Sequence, residues 1–262
     1  MRAHMKTLLA LFAGLLLTAT THAAADTRCF EMRVYYAAEG KLDALHKRFR
    51  DHTCKLFEKH GMTNLGYFVP IGDNPERKLI YFLAYPSLDA RNAAWKAFMA
   101  DPDWQKAYKA SEVDGKLVAK IESVYLGATD YSPLAKAENV GNRVFELRTY
   151  TTEPGRLPNL NARFRDHTLK LFAKHGITNL PYWTPLADQK GAVNPPDKDN
   201  TLIYLLAHAS QDAAKTSFGN FGKDADWQAA RKASEEKAGG SLTTKGGVKS
   251  VFLVPTDYSA VK

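Results

Sequence analysis

Alternating apolar and polar positions over residues 30–35 predict a β-strand. The alternation has the period of two that marks a half-buried strand, with Phe30, Met32 and Val34 on one face and Glu31, Arg33 and Tyr35 on the other. From Leu42 to His60 the apolar residues recur at helical spacing, and Gly61 stands where a C-terminal cap belongs. The pattern therefore predicts a strand followed by a helix.

The segments that follow predict a hairpin, two helices and a closing strand. In chain order they are strand-like runs at 65–69 and 79–85, helical spacing at 88–100 and a strand pattern at 121–126. Asp101 followed by Pro102 marks the start of the second of these helices, because Asp is a good N-cap and Pro fits the first helical position. The order β-α-β-β-α-β with one extra helix is the ferredoxin-like, split βαβ arrangement.

The same order of elements occurs twice in the chain. Residues 30–35 return as 145–150 at an offset of 115, and residues 48–53 return unchanged as 163–168. The offset then grows to 123, so the second copy has an eight-residue insertion, which falls in the polar stretch 191–200 and is predicted to be a surface loop. The predicted boundaries are repeat one at 26–132, a linker at 133–142 and repeat two at 143–262.

A single repeat of this kind covers only one face of its sheet with helices. The other face needs a partner, and the second copy is available within the same chain. We therefore predict an α+β fold in which two ferredoxin-like split βαβ repeats form one intramolecular, pseudo-dimeric α/β barrel.

Residues 1–25 have the pattern of a secretory signal peptide. Arg2 and Lys6 precede an apolar run over 7–19, and small residues follow up to a predicted cleavage site after Ala25. The apolar run is shorter than the roughly 20 residues of a membrane-spanning helix, and no later segment is apolar enough to span. The sequence thus predicts a periplasmic or secreted protein with no membrane span in its mature chain.

Charge and motif content exclude several classes of function. The formal net charge is +8, but the lysines are interspersed with acids and form no long basic block, so we expect no nucleic-acid binding. The zinc, phosphate-loop, dinucleotide and serine-nucleophile motifs are absent, so we predict no metal site and no particular cofactor. Cys29 and Cys54, both in repeat one, are either a disulfide or two buried thiols.

The polar face of the first strand is the sharpest candidate site. It carries a Glu-Arg-Tyr set in each repeat, namely Glu31, Arg33 and Tyr35, then Glu146, Arg148 and Tyr150. If the apolar face packs under the helices, this polar face points into the barrel. One interpretation is a polar cavity in which Arg fixes an anionic group and Glu or Tyr handles a proton. The alternative is an ion pair that fixes how the two sheets dock.

Histidines provide the other candidates. His52 and His167 share the apolar stripe of their helices and are predicted to point toward the sheet, either as hydrogen-bonded core residues or as ligands, and a haem with one axial histidine stays an alternative. His60 and His175 directly precede a capping glycine, where the helix dipole favours a cationic side chain.

At these positions the chain resembles the NIPSNAP family. The resemblance rests on the strand 30–35, on His60-Gly61, on the helix start 101–104 with Ser111-Glu112 behind it, and on the closing segment 130–133. The second repeat departs from the pattern because its corresponding helix start lacks the proline. The resemblance implies the dimeric α/β barrel superfamily, which includes small monooxygenases, isomerases and haem proteins, and its eukaryotic members look like interaction proteins.

Three functions follow as hypotheses. The leading one is an exported protein that binds a small organic ligand in a polar barrel cavity. The second is a monooxygenase- or isomerase-like enzyme that holds substrate with Arg33 or Arg148 and uses a His or Tyr for proton transfer. The third is a protein-interaction module with a filled barrel. The expected partner is a small molecule, and a further homo-oligomer stays open.

Overall fold

Eight antiparallel strands, four from each repeat, close into one barrel in the computed structural model, which describes residues 26–262. Repeat one supplies β1 (Cys29–Ala37), β2 (Thr63–Pro70), β3 (Lys78–Tyr85) and β4 (Val118–Ala128). Repeat two supplies β5 (Val144–Thr152), β6 (Thr178–Pro185), β7 (Thr201–His208) and β8 (Thr243–Pro255). The strand order is β1-β3-β2-β8-β5-β7-β6-β4, so the predicted fold of two repeats in one barrel is confirmed. The predicted signal peptide lies outside the described residues.

The helices cover the outside of the barrel. Repeat one has α1 (Leu42–Arg48), α2 (Cys54–Lys59), α3 (Leu88–Ala100) and α4 (Pro102–Ser111), and repeat two has α5 (Leu157–Arg163), α6 (Leu169–Lys174), α7 (Gln211–Lys223) and α8 (Ala225–Lys237). Helix α4 begins as predicted, with the Asp101 carboxylate accepting a hydrogen bond from the backbone N–H of Asp103 at 2.8 Å. No helix within 26–262 is long and apolar enough to cross a membrane.

The interior of the barrel is apolar, which contradicts the predicted orientation of β1. Phe30 and Val34 belong to a cluster that draws on both repeats, and the rings of Phe82 and Trp183 stack inside it with centroids 5.2 Å apart. An eight-stranded barrel is just wide enough for its interior to be filled by side chains. Charged groups there would lack both water and partners, so the apolar face of each strand is the one that turns inward.

The polar face of β1 therefore lies beneath the helices and not in the barrel. Glu31 bonds to side chains of α3, and Arg148 lies over the Phe218 ring of α7. The predicted inward orientation is wrong for all six residues of the repeated set, namely Glu31, Arg33, Tyr35, Glu146, Arg148 and Tyr150. A polar barrel cavity is excluded with it, because the interior beside the linker retains a cavity of only about 110 Å³.

A wide π-helical turn interrupts the long first helix of each repeat, at Phe49–Thr53 and at Phe164–Thr168. In repeat one the Thr53 hydroxyl donates to the carbonyl of Arg48 at 3.1 Å, five residues back, and repeat two has the same bond. The wide turn points Thr53 inward and leaves His52 exposed. The prediction that His52 and His167 face the sheet is wrong for this reason, since both are exposed.

The other histidine pair joins two helices. His60 lies 2.6 Å from the Asp101 carboxylate that caps α4, and His175 lies 2.7 Å from the equivalent Asp224. Lys59 also bonds to Asp101, and Lys59 together with His60 holds the pKa of that carboxyl well below its usual range. The position of His60 at a helix end is as predicted, and its partner is the cap of the next helix.

Cys29 and Cys54 are free thiols in repeat one. Both pack in the core between the helices and the outer face of the sheet. Burial raises the pKa of each thiol to about 11. Of the two alternatives, the structure has the one without a disulfide.

Candidate functional site

The carboxylate of Glu31 is the centre of a buried polar cluster between the sheet and α3. It is fully buried, and Arg33, two residues along the same face of β1, donates to its Oε1 at 2.6 Å. Strand alternation places both side chains on the helix side of the sheet. The geometry of this pair therefore follows from β1 alone, without a contribution from any helix.

Helix α3 and strand β3 complete the cluster. Arg91 donates to both oxygens of Glu31, at 2.8 and 3.0 Å, in the two-pronged geometry that suits a guanidinium and a carboxylate. Trp95 donates its indole N–H to Oε2 at 2.9 Å, and the Tyr85 hydroxyl donates to the same oxygen at 3.0 Å. The carboxylate therefore accepts from four side chains.

These partners keep Glu31 ionised. Burial by itself would raise the pKa of Glu31, but Arg33 and Arg91 outweigh burial and hold that pKa below its usual value. With one carboxylate and two guanidinium groups, the cluster carries a net positive charge. The excess charge is available to a negatively charged group nearby.

A cleft of about 640 Å³ opens beside this cluster, between the sheet and the helices of repeat one. Its walls contain seven aromatic rings, from Tyr35, Phe49, Phe57, Trp95, Phe98, Trp104 and Tyr108. They also contain five cationic side chains, from Arg33, Arg48, Arg91, Lys116 and Lys120, and the single carboxylate of Glu112. The cleft thus combines an apolar, flat-walled body with an excess of positive charge.

Two buried N–H groups along this cleft lack a partner. Arg33 and Arg48 are 8% and 4% exposed, and the Nε atom of each makes no hydrogen bond within the protein. The Nη1 atom of Arg48 reaches Ser111 and Glu112 at the end of α4, at 3.3 Å in both cases. Both Nε atoms are shielded from water, and the Nε of Arg163 in repeat two is buried without a partner in the same way, so this feature does not distinguish the first cleft.

The equivalent cleft of repeat two, of about 260 Å³, adjoins a further pocket of about 590 Å³ that shares Trp227, Arg231, Glu235 and Ser241 with it, and its polar cluster is simpler. Glu146 accepts from Arg148 at 2.5 Å and lies 3.0 Å from His208, which stands where repeat one has Tyr85. The position of Arg91 is occupied by Ala214, and that of Trp95 by Phe218. Burial would raise the pKa of Glu146, but His208 and Arg148 together lower it.

The predicted site residues divide into two groups. The structure brings Glu31, Arg33 and Tyr35 together beside the first cleft, and Glu146, Arg148 and Tyr150 beside the second, where Arg33 and Arg148 each bond to the tyrosine hydroxyl. Neither His52 nor His167 lines either of the two clefts. These histidines are therefore not positioned as the axial ligand of a haem bound in one of these clefts. Within 26–262 no cluster of three or more His, Cys, Asp or Glu could hold a metal ion.

Three arginines of the two clefts and their clusters were not predicted from the sequence. Arg48 and Arg163 lie in the block that returns unchanged, and that exact return was a usable signal for them. Arg91 carried no such signal, because repeat two has Ala214 at its position. Its role depends on the packing of α3 against β1.

Both repeats match the model of one known protein family. The model of the NIPSNAP family matches residues 30–133 and again residues 145–260. A protein NipSnap homolog of Dictyostelium discoideum is 27% identical over 142 residues, covering 53% of this chain and 55% of that protein. The chain thus spans about half the length of this curated relative.

Solved structures of similar fold cover most of the chain. An anthrone oxidase-like protein aligns over 90% of this chain and 94% of its own, with a TM-score of 0.55 and 11% identity. A putative monooxygenase of Lactobacillus acidophilus aligns over 88% of this chain and 94% of its own, with a TM-score of 0.52 and 12% identity. At these identities the likeness concerns the barrel fold alone.

Proposed function

The chain belongs to the NIPSNAP family, and from this premise we propose that it binds a small organic anion with a flat apolar body in the cleft of repeat one. The observation that carries the proposal is the excess of five cationic side chains over one carboxylate in the walls of an aromatic cleft. We also propose export of the protein, on the predicted signal peptide alone.

The anionic end of the ligand would be recognised by the arginines. A carboxylate or sulfonate oxygen accepts strongly from a guanidinium N–H, because both groups are charged. Arg33 already bonds to Glu31 through Nη1, which holds its guanidinium in one orientation beside the cleft. A preorganised donor of this kind loses little side-chain entropy when a ligand binds.

The apolar body of the ligand would pack between the aromatic rings. A cleft of about 640 Å³ is in the size range of small-molecule sites. Met99, Tyr108 and Val193, which are exposed large apolar side chains, also border this cleft. Exposed apolar groups around a concave, cationic site suit an aromatic acid better than a sugar or an inorganic anion.

A panel of aromatic acids and their neutral amides would test this function. Benzoate, 2-naphthoate and anthracene-2-carboxylate, each beside its carboxamide, are titrated into the purified protein by isothermal calorimetry. We expect at least one acid to bind below millimolar concentration, and about tenfold or more tighter than its amide, because a charge-assisted hydrogen bond is worth about 1.5–3 kcal/mol. Failure of every acid to bind, or equal binding of acid and amide, would overturn the proposal.

Repeat symmetry offers a matched pair of variants for the same test. Arg48→Met removes the cleft guanidinium of repeat one, and Arg163→Met removes its counterpart in repeat two. We expect the first to weaken acid binding about tenfold or more and the second to leave it unchanged. Thermal denaturation of both variants serves as the folding control. Equal effects of the two substitutions would move the site away from repeat one.

The second candidate is an enzyme of the monooxygenase or isomerase sort that uses the same cleft. The likeness in fold to a putative monooxygenase favours it, and we propose Tyr35 for proton transfer, because its hydroxyl lines the cleft and accepts from Arg33 at 3.4 Å. Mass spectrometry of each panel acid after incubation with the protein in air separates the two candidates. Recovery of the unchanged acid supports a binding protein, and a product of altered mass or retention supports an enzyme.

A further inference from the structure

The insertion in repeat two does not project freely from the barrel, because it lies along the edge of β4 in repeat one. The backbone N–H of Ser123 donates to the carbonyl of Val193 at 2.9 Å, and the N–H of Val193 donates to the Ser123 hydroxyl at 3.0 Å. Strand β4 pairs with β6 only over Leu126–Ala128, so the insertion continues this edge where β6 stops.

Gln189 holds the start of this segment in place. Its side-chain oxygen accepts from the backbone N–H of Tyr125 at 2.9 Å, and its side-chain nitrogen donates to the carbonyl of Tyr125 at 2.7 Å. The N–H of Leu186 donates to the same carbonyl at 2.8 Å. One glutamine thus satisfies both backbone groups of a strand residue, as a neighbouring strand would.

Through this contact the insertion becomes a wall of the first cleft. Gly191 and Val193 both line it. Gly191 has a φ of +90°, and a Cβ atom there would lie 3.3 Å from the Tyr125 hydroxyl. The Tyr125 ring in turn lies under the guanidinium of Arg91, with 4.4 Å between its centroid and Cζ. The wall is therefore continuous with the Glu31 cluster.

Repeat two has no corresponding wall. The equivalent loop of repeat one, between β2 and β3, is eight residues shorter than the loop of repeat two. None of its residues lines the second cleft. The second cleft has also exchanged Tyr108 for Arg231, which is engaged with Glu235 at 3.2 Å. The first change removes a wall from the second cleft, and the second change pairs the added cation with a carboxylate of the same helix.

We propose that the two clefts have diverged, so that the chain has one ligand site, built by both repeats, in which the segment 189–193 sets the length of ligand accepted. This inference rests on the proposed function and names its specificity element. Arg48 bonds to the end of α4, whereas the segment bonds to Ser123 and Tyr125, so the two border different parts of the cleft. A short acid bound to Arg48 does not reach the segment 189–193, whereas a long acid reaches both.

Stoichiometry and length selectivity test the inference on the same acids. Calorimetry of the intact protein should give one molecule of 2-naphthoate bound per chain. Deleting residues 189–196, which brings the loop to the length found in repeat one, should weaken anthracene-2-carboxylate about tenfold, because buried ring surface is lost. The same deletion should leave benzoate within about twofold. Two molecules per chain, or an unchanged ratio between the long and short acids, would overturn the inference.

A point variant keeps the test decisive if the deletion fails to fold. Gln189→Ala removes the bonds to Tyr125 at constant chain length and should shift the ratio in the same direction, as should Ser123→Ala, which removes the hydroxyl that accepts from Val193. Ser250→Ala, at the position equivalent to Ser123 in repeat two, is the control. Binding that depends on Arg48 but not on Gln189 or on residues 189–196 would refute this inference and leave the proposed function in place. Acids that do not bind the intact protein would instead sink the proposed function.

Discussion

The substitution Glu31→Gln should be among the most destabilising single changes in the chain. The carboxylate is fully buried and accepts hydrogen bonds from Arg33, Arg91, Trp95 and Tyr85. An amide of the same shape keeps one acceptor oxygen but places an N–H₂ group against donors, and it leaves two guanidinium groups uncompensated. Removing one partner of a buried ion pair costs about 3–5 kcal/mol, which is our expectation here.

Repeat two supplies the control, because Glu146→Gln alters a cluster with fewer donors. Within 26–262 the Glu146 carboxylate bonds to the side chains of Arg148 and His208 alone, and a glutamine oxygen can still accept from Arg148. The expected cost is about 1–3 kcal/mol. Urea unfolding followed by tryptophan fluorescence measures both free energies of unfolding. If Glu31→Gln cost no more than Glu146→Gln, the description of the Glu31 cluster would be refuted.

The pH dependence gives a second readout of the same substitution. Burial opposes but does not cancel the effect of Arg33 and Arg91, so the pKa of Glu31 is lowered in the folded state. Its contribution to stability is therefore present above the unfolded pKa of about 4.3 and is lost as the pH falls through the folded value. The difference in the free energy of unfolding between wild type and Glu31→Gln should shrink as the pH falls through the folded pKa. A difference that stays constant would contradict the ionised, paired state.

Three further predictions concern the helices and the thiols. Thr53→Val should cost about 1 kcal/mol in urea unfolding, because the carbonyl of Arg48 loses the hydroxyl that donates to it; no loss would contradict that role. Asp101→Asn should lower Tm by a few degrees near neutral pH, and because the pKa of Asp101 is depressed by Lys59, the loss should fade as the pH falls through that pKa. With their pKa raised to about 11 by burial, Cys29 and Cys54 should react with iodoacetamide at pH 8 more than about a hundredfold slower than a small thiol. Mass spectrometry after denaturation should then show two labels per chain, and none would indicate a disulfide.

Helix starts and strand positions could be predicted from local signals. Asp101 followed by Pro102 satisfies the first N–H groups of a helix and fits its first turn, and α4 begins there. The same holds for β1, whose alternation is visible in six residues. These features depend on residues close in sequence, so the chain needs no tertiary partner to indicate them.

The candidate site was only half predictable. Its strand residues Glu31 and Arg33 were found because the duplication repeats them, whereas Arg91 and Gln189 were not, since each acts on a residue more than fifty positions away. The predicted direction of His52 was wrong, because this residue lies within a wide turn that does not follow regular helical spacing. Spacing rules for a regular helix cannot anticipate such a turn.

The sequence by itself determined the order of elements, the duplication and the existence of two distinct faces on β1. Which face lies inside the barrel was decided only when two sheets closed around a space too narrow for hydrated charge. Periodicity of two separates the faces but does not say what covers each one, and here both are covered. The tertiary structure also decided that an insertion in repeat two borders a cleft in repeat one, because the free edge of β4 bonds to whatever chain lies beside it.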